Sequence, residues 1–263
     1  MTTFADHPAH VEDGCATRYA RTFHFVVAWS EVTAGGRLRH AAEHESFVIL
    51  PDTAAELVAA GRCTNAPAHS IAILPAGEST IVTAGTGTVI RLIEAAPAAV
   101  VSRAINGGSY ERARDDLRPV GAPFRRVGPP APRVYPLAAG HGHKPQSFQT
   151  ETMSCGWFEY VGPDDPAAVA PHAHADFEEG SLMVAGSFVQ HLRTPWGTDM
   201  QRWRSDEHLR CSPGTLVVIP PQTLHVAEAV GAERHVLMNL FAPPRPDHIA
   251  KGQVLNADEY LPA

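Results

Sequence analysis

Cysteine is scarce in this chain. Cys15, Cys63, Cys155 and Cys211 lie far apart and form no Cys-x-x-Cys pair, so neither a zinc knuckle nor a dense disulfide framework is encoded. Four reduced thiols, mostly buried as small apolar groups, are the simplest reading. No apolar run approaches the ~20 residues that span a bilayer, and the first residues lack the basic start and apolar core of a secretory signal. A cytoplasmic protein without a membrane partner is therefore expected. Basic excess is missing too: Lys and Arg total 21 against 28 Asp and Glu, a formal net charge of -7. With no cationic footprint for a phosphate backbone, nucleic acid is not an expected partner. At 44% hydrophobic and 19% charged residues, the composition is that of a folded globular protein and not of a disordered chain.

Helical periodicity is also rare. Residues 53–60, opening after Pro51-Asp52 and ending at Gly61, and residues 110–117 are the clearest helical stretches, and the first could equally connect two strands. Elsewhere 21 glycines and 23 prolines punctuate short runs rich in Val, Ile, Leu, Phe and Thr, the pattern of many short strands joined by turns. A chain of 263 residues has room for two small all-β domains.

The halves of the chain repeat one another. Residues 70–80 run parallel to 214–225, with Pro75 matching Pro220, Gly77 matching Gln222 and Thr80 matching His225. Residues 88–93 match 235–240, and the stretch from His44 resembles the one through Glu178 and Glu179. Between the halves, residues 102–147 carry Asn106-Gly-Gly, several arginines and Gly128-Pro-Pro-Ala-Pro. Proline at that density stiffens a connection and opposes central-strand pairing. The expected organisation is a first domain over 1–101, a linker over 102–147 with Tyr135 in a short strand inside it, and a second domain over 148–263. The first 22 residues read as an arm reaching to the other domain or to a second subunit.

The second half concentrates histidines and carboxylates: His172-Ala-His174, then Glu178-Glu179, then His225. In an extended segment residues i and i+2 face the same side, so His172 and His174 present two imidazoles to one point. A carboxylate and a third imidazole complete a metal site. A second His-x-His, His141 and His143, sits in a glycine-rich, proline-bounded loop without a following carboxylate, where an exposed loop is the default. His191 and His235 read as structural or exposed.

Residues 172–186 resemble the first motif of the cupin superfamily: His-x-His, a glutamate after three or four residues, and a glycine after six more. Residues 214–225 resemble its second motif, with Gly214, Pro220 and His225 in register. Gln222 stands where the family has a turn glycine, Ala229 where it has asparagine, and Pro166 where it has the opening glycine. The resemblance implies an all-β bicupin, two tandem double-stranded β-helix (jelly-roll) barrels, with one divalent transition metal (Fe, Mn, Ni, Co or Zn) held in the C-terminal barrel by His172, His174, Glu179 and His225. The carboxylate is two-sided at this level. The family spacing to Gly186 selects Glu179, also a possible base, whereas side-chain alternation with Leu182, Val184 and Phe188 points to Glu178 as the alternate.

In the first half, Thr80 falls at the slot of His225, and no His-x-His precedes Glu45. His40, Glu43, His44 and Glu45 are its only candidates for an improvised site, and a metal-free barrel is expected. Three neutral imidazoles and one carboxylate form a ligand set of intermediate hardness. Trp157, Tyr160, Phe188, Val226 and Met238 are candidates for an apolar wall, with ordinary core packing as the competing reading for each. The Trp- and Arg-bearing stretch 191–210 could be a lid or an interface. Cupins include dioxygenases, isomerases, hydrolases, decarboxylases and ligand-binding proteins without chemistry. A metal-dependent dioxygenase acting on a small oxygen-bearing substrate leads, with a redox-neutral isomerase or aminohydrolase, or a non-catalytic binding protein, as alternatives. Exposed strand edges and the arm suggest a homodimer.

Overall fold

The computed structural model describes residues 1–110, 114–139 and 142–263. The fold is all-β, two jelly-roll barrels in tandem, each made of a large and a small sheet. The first pairs a seven-stranded sheet with a four-stranded one, and the second pairs a six-stranded sheet with a three-stranded one.

The large sheets carry the stability. Ser46–Leu50 and Ser70–Leu74 are buried at every residue, because each of their faces meets a different core. Phe47, Ile49, Ile71 and Ile73 point toward Trp157, Leu182, Leu216 and Met238 of the second barrel. Val48, Leu50, Ala72 and Leu74 point into the first barrel's own interior with Leu57 and Ile81. Strands buried on both faces read as continuous apolar runs, as these do. The second barrel's own apolar cluster is smaller and holds Met183, Phe188, Val217 and Ile219.

Each barrel lends a strand to the other. Thr2–Thr3 pairs with Thr215–Ile219 in the second barrel's sheet, while Arg133–Pro136, including Tyr135, pairs with Ser70–Leu74 in the first barrel's. The two exchanges are equivalent by the repeat. The arm thus spends its first strand on its own chain, Phe4 stacks on Trp29 at 5.8 Å, and Cys15–Arg21 is a regular strand of the first barrel. The connection between barrels is less free than its prolines suggest, since Phe124–Arg126 pairs with Tyr260–Pro262 and a second-barrel strand already begins at Gly142. Arg133 reinforces this junction, donating to Glu45 at 2.6 Å and to the Tyr260 hydroxyl at 2.7 Å.

Two helical expectations are corrected. Residues 55–59 form the strand Ala55–Ala59, with Ala55, Leu57 and Ala59 buried and Glu56 and Val58 outward. A two-residue turn follows, Ala60 and Gly61 both at positive φ (50° and 71°), the hairpin geometry of a primed turn. The alternation of Leu57 into the core overrides the helix preference of an alanine-rich stretch. In the second stretch, Gly107–Tyr110 is a short 3-10 turn, 111–113 lie outside the described residues, and 114–117 are not helical.

Candidate metal centre

Glu179 is the first residue of the strand Glu179–Ala185, whose alternation sends Gly180 and Leu182 toward the first barrel and leaves Glu179, Ser181 and Met183 facing its own interior. His225 enters from the strand Leu224–Val230. His172 and His174 lie outside any regular strand, yet backbone bonds fix them in extended register. His172 and His225 exchange N–H···O bonds of 3.0 and 2.8 Å, and the Gln222 N–H donates to the His174 carbonyl at 2.6 Å. Gln222 keeps the left-handed turn (φ 64°) where the motif has glycine, which is how the pattern survives that replacement.

One ligand atom from each of His172, His174, Glu179 and His225 falls within 4.8 Å of the others. It is the one such cluster among the described residues. His174 Nε2 lies 2.8 Å and His225 Nε2 3.3 Å from Glu179 Oε2. His225 Nδ1 faces the Thr223 carbonyl at 2.8 Å and His172 Nδ1 the Ala170 carbonyl at 3.1 Å. With an ion bound, donation of those Nδ1–H groups to backbone would leave Nε2 as the inward lone pair, the usual way an outer carbonyl sets a ligand's tautomer. The donor set and its orientation suit a divalent transition metal.

Burial would raise the Glu179 carboxyl, but hydrogen bonds from His174 and His225 outweigh it and hold it at about 2. His225 is correspondingly pushed up, burial opposing and Glu179 prevailing. Burial pulls His172 down. Glu178 faces the other way. It accepts from the Phe23 N–H at 2.8 Å and pairs with Arg114 at 3.5 Å, while burial raises its carboxyl. The apolar parity of Leu182 and Val184 therefore marks the face packed on the first barrel, not the one that meets His174 and His225. In consequence Glu179→Gln should weaken metal binding by more than the about 10–100-fold that loss of an outer partner costs. Glu178→Gln should retain the metal and lose only thermal stability. Metal content after dialysis, measured on both variants, checks this; equal retention would reject Glu179.

Above the cluster lies a cavity of about 310 Å³. Tyr160 and Val226 line it as expected, together with Phe158 and Leu237. Trp157 and Met238 do not; they are buried in the core between the barrels. Phe188 packs in the interior beyond the cavity with Met183 and Cys211. Sequence reasoning missed the polar lining: Ser181, which donates to Gln190 at 3.2 Å, and Asn239, whose buried Oδ1 has no partner. Ser181 was legible, lying two residues from Glu179 on the same face. At the mouth Tyr160 donates to Asp164 at 3.2 Å and His143 sits 3.3 Å from the same carboxylate. His143 thus lines the cavity from the strand Gly142–Gln149 and not from the loop expected for it, while His141 lies outside the described residues.

The other candidates stand apart from the cluster. His191 bridges His208 (2.6 Å) and Glu228 (2.9 Å), and His235 is wholly buried beside Tyr160 and Phe188. Within 191–210, Ser187–Arg193 and Glu207–Cys211 pair as a hairpin. Trp196 and Trp203 stack on each other at 4.5 Å near its tip and do not line the cavity.

Strand pairing corrects the register of the repeat by one residue. Ser46 lies opposite Leu74 as Glu179 lies opposite Ile219, so Ser46 holds the place of Glu179, and Glu45 that of Glu178. His40 pairs with Ser79 as His172 does with His225. Ala42 faces Gly77 as His174 faces Gln222. Ser79, not Thr80, is the buried residue at that strand end. His40, Glu43, His44 and Glu45 are not brought together: His44 meets Glu94 at 3.6 Å, Glu45 is tied to Arg133 and Tyr260, and Glu43 is exposed.

No family model matches this sequence, and no curated protein does. Solved structures do match by shape. The oxalate decarboxylase of Lactobacillus farciminis, solved as a formate complex, aligns at a TM-score of 0.62 with 13% identity over 93% of this chain and 86% of that one. That of Bacillus subtilis, which carries Mn(II) centres, aligns at 0.61 with 12% identity over 92% and 76%. AerE from Microcystis aeruginosa aligns at 0.59 with 11% identity over 90% and 96%. At such identities the likeness establishes the shared fold.

Proposed function

We propose that the chain is a metal-dependent cupin enzyme with one divalent metal, in the second barrel, and that it is a dioxygenase acting on a small oxygen-bearing substrate. The observation that carries the reading is the convergence of His172, His174, Glu179 and His225 at the base of an open cavity. A bound divalent ion supplies Lewis acidity toward substrate oxygens and one-electron chemistry with dioxygen.

The chain's own groups do the rest. Three Nε2 atoms and Glu179 hold the ion, and Glu179 also offers a carboxylate oxygen that can take a proton from the substrate. Asn239, Gln190 and Ser181 orient a polar group of the substrate, and the Asn239 Oδ1 calls for a donor such as a hydroxyl. Phe158, Val226 and Leu237 exclude water from its apolar part. No lysine or arginine is among the described residues lining the cavity, while Glu179, Asp164 and Asp165 are. Such a lining favours a neutral enol or phenol that ionises on binding over a dianion like oxalate.

The test is oxygen uptake by the iron- or manganese-loaded protein with diketones, catechols and flavonols. Oxygen-dependent turnover of one of them, absent anaerobically, is expected. Conversion of a ureido compound or sugar acid without oxygen would replace this reading by redox-neutral chemistry. A cytoplasmic homodimer accompanies the proposal. With the arm's first strand committed within the chain, that dimer rests on exposed edges such as His10–Glu12.

A further inference from the structure

The interior of the first barrel carries the opposite charge to that of the second. Arg91 lies opposite Val48 as Asn239 lies opposite Ser181, so a guanidinium enters the first barrel where the second has a neutral amide. At the four positions matching the metal cluster only His40 keeps a ligand side chain; Ala42, Ser46 and Ser79 replace the others. A carboxylate ringed by imidazoles has given way to a cation beside one imidazole.

Arg91 is 3% exposed and His40 5%. Arg91 Nη1 donates to the Arg39 carbonyl at 3.2 Å, its Nε has no partner, and both ring nitrogens of His40 are buried and unpartnered. Burial disfavours the Arg91 charge, with Tyr19 the main group opposing that, and no carboxylate among the described residues pairs with the guanidinium. The rim carboxylate, Glu12, is already engaged by Arg39 at 3.4 Å and His10 at 3.5 Å. Both side chains line a cavity of about 120 Å³, with Thr17 and Tyr19 on its wall and Arg103 at its rim. A liquid water occupies ~30 Å³, so the space is that of a few heavy atoms. A buried guanidinium without a counter-charge is strongly disfavoured, and its fork matches the oxygens of a carboxylate or phosphate.

We propose that the first barrel is a binding site for a small anion, a carboxylate or an inorganic oxyanion, held by Arg91 and His40. This does not depend on what the second barrel catalyses. The full chain, freed of metal on a chelating resin, is titrated with sodium phosphate, acetate or oxalate at constant ionic strength while its unfolding temperature is followed. At least one anion is expected to raise that temperature saturably, and the anion that acts identifies the class.

Arg91→Met, which preserves volume, is expected to weaken the effect at least tenfold, and His40→Leu to weaken it as well. His172→Ala, in the other barrel, should leave it unchanged. No saturable rise with any of the three anions, a rise undiminished in Arg91→Met, or one lost in His172→Ala would overturn the proposal. If Arg91→Met does not fold, Arg91→Lys decides. It keeps the charge and loses the fork, so at least fivefold weaker binding supports the site and unchanged binding rejects it.

Discussion

His225→Ala is expected to abolish retention of the divalent metal. His225 is 3% exposed, its Nδ1 is tied to the Thr223 carbonyl, and its Nε2 is one of three imidazole nitrogens around Glu179. If a four-ligand site is worth about 10–16 kcal/mol in all, one ligand accounts for about 3–4 kcal/mol, roughly 10²–10³-fold in affinity. Metal content after dialysis should fall from about one ion per chain to a trace. His172→Ala should behave alike, even though His172 is exposed, since its nitrogen completes the same cluster. Both variants should remain folded, because neither residue belongs to the core between the barrels. Full occupancy in both would remove the assignment.

His40 should govern part of the acid limb of stability. Burial, with Arg91 adding to it, pulls its pKa from the ordinary 6.5 down to about 3. The native state therefore refuses a proton that the unfolded chain accepts below pH 6.5, and stability is lost as pH falls from 6.5 toward 3. At pH 5 the deficit from this residue is about 2 kcal/mol, at 1.36 kcal/mol per pH unit. Urea unfolding at pH 8 and pH 5, in Tris and piperazine without phosphate or carboxylate, measures it. His40→Leu should lose about 2 kcal/mol less than the parent chain between those two values. Parallel losses in both proteins would show that His40 is not held neutral by the fold.

The strand Glu179–Ala185 shows where local pattern stops being informative. Alternation alone pointed to Glu178, because Leu182 and Val184 share its parity and a barrel's apolar side is ordinarily its inside. Here that parity faces the neighbouring barrel, and the inside near the His/Glu cluster is polar, with Ser181, Gln190 and Asn239. The spacing from Glu179 to Gly186 was the better guide because it reports backbone geometry, which does not depend on what the other face meets. The wall residues divide by the same rule. Tyr160 faces the cavity, while Trp157, three positions earlier on the same strand and of opposite parity, is buried between the barrels. The one-residue slip in aligning the halves has a related cause. Glu45 and Glu179 look alike as letters, but hydrogen-bond register makes Ser46 the counterpart of Glu179.

Sequence by itself determined the all-β class, the two-fold repeat and the grouping of His172, His174 and His225 with a neighbouring glutamate. Those rest on turn residues, on period-2 geometry and on spacing along single strands, all of which are local. Tertiary structure alone decided which glutamate faces inward, where Trp157 and Met238 go, that the arm and the connection each add a strand to the opposite barrel, and that Arg91 comes to lie beside His40. Each of these depends on pairing between segments distant in the chain and on which of two buried faces meets which core. Hydrophobicity cannot distinguish two apolar surroundings.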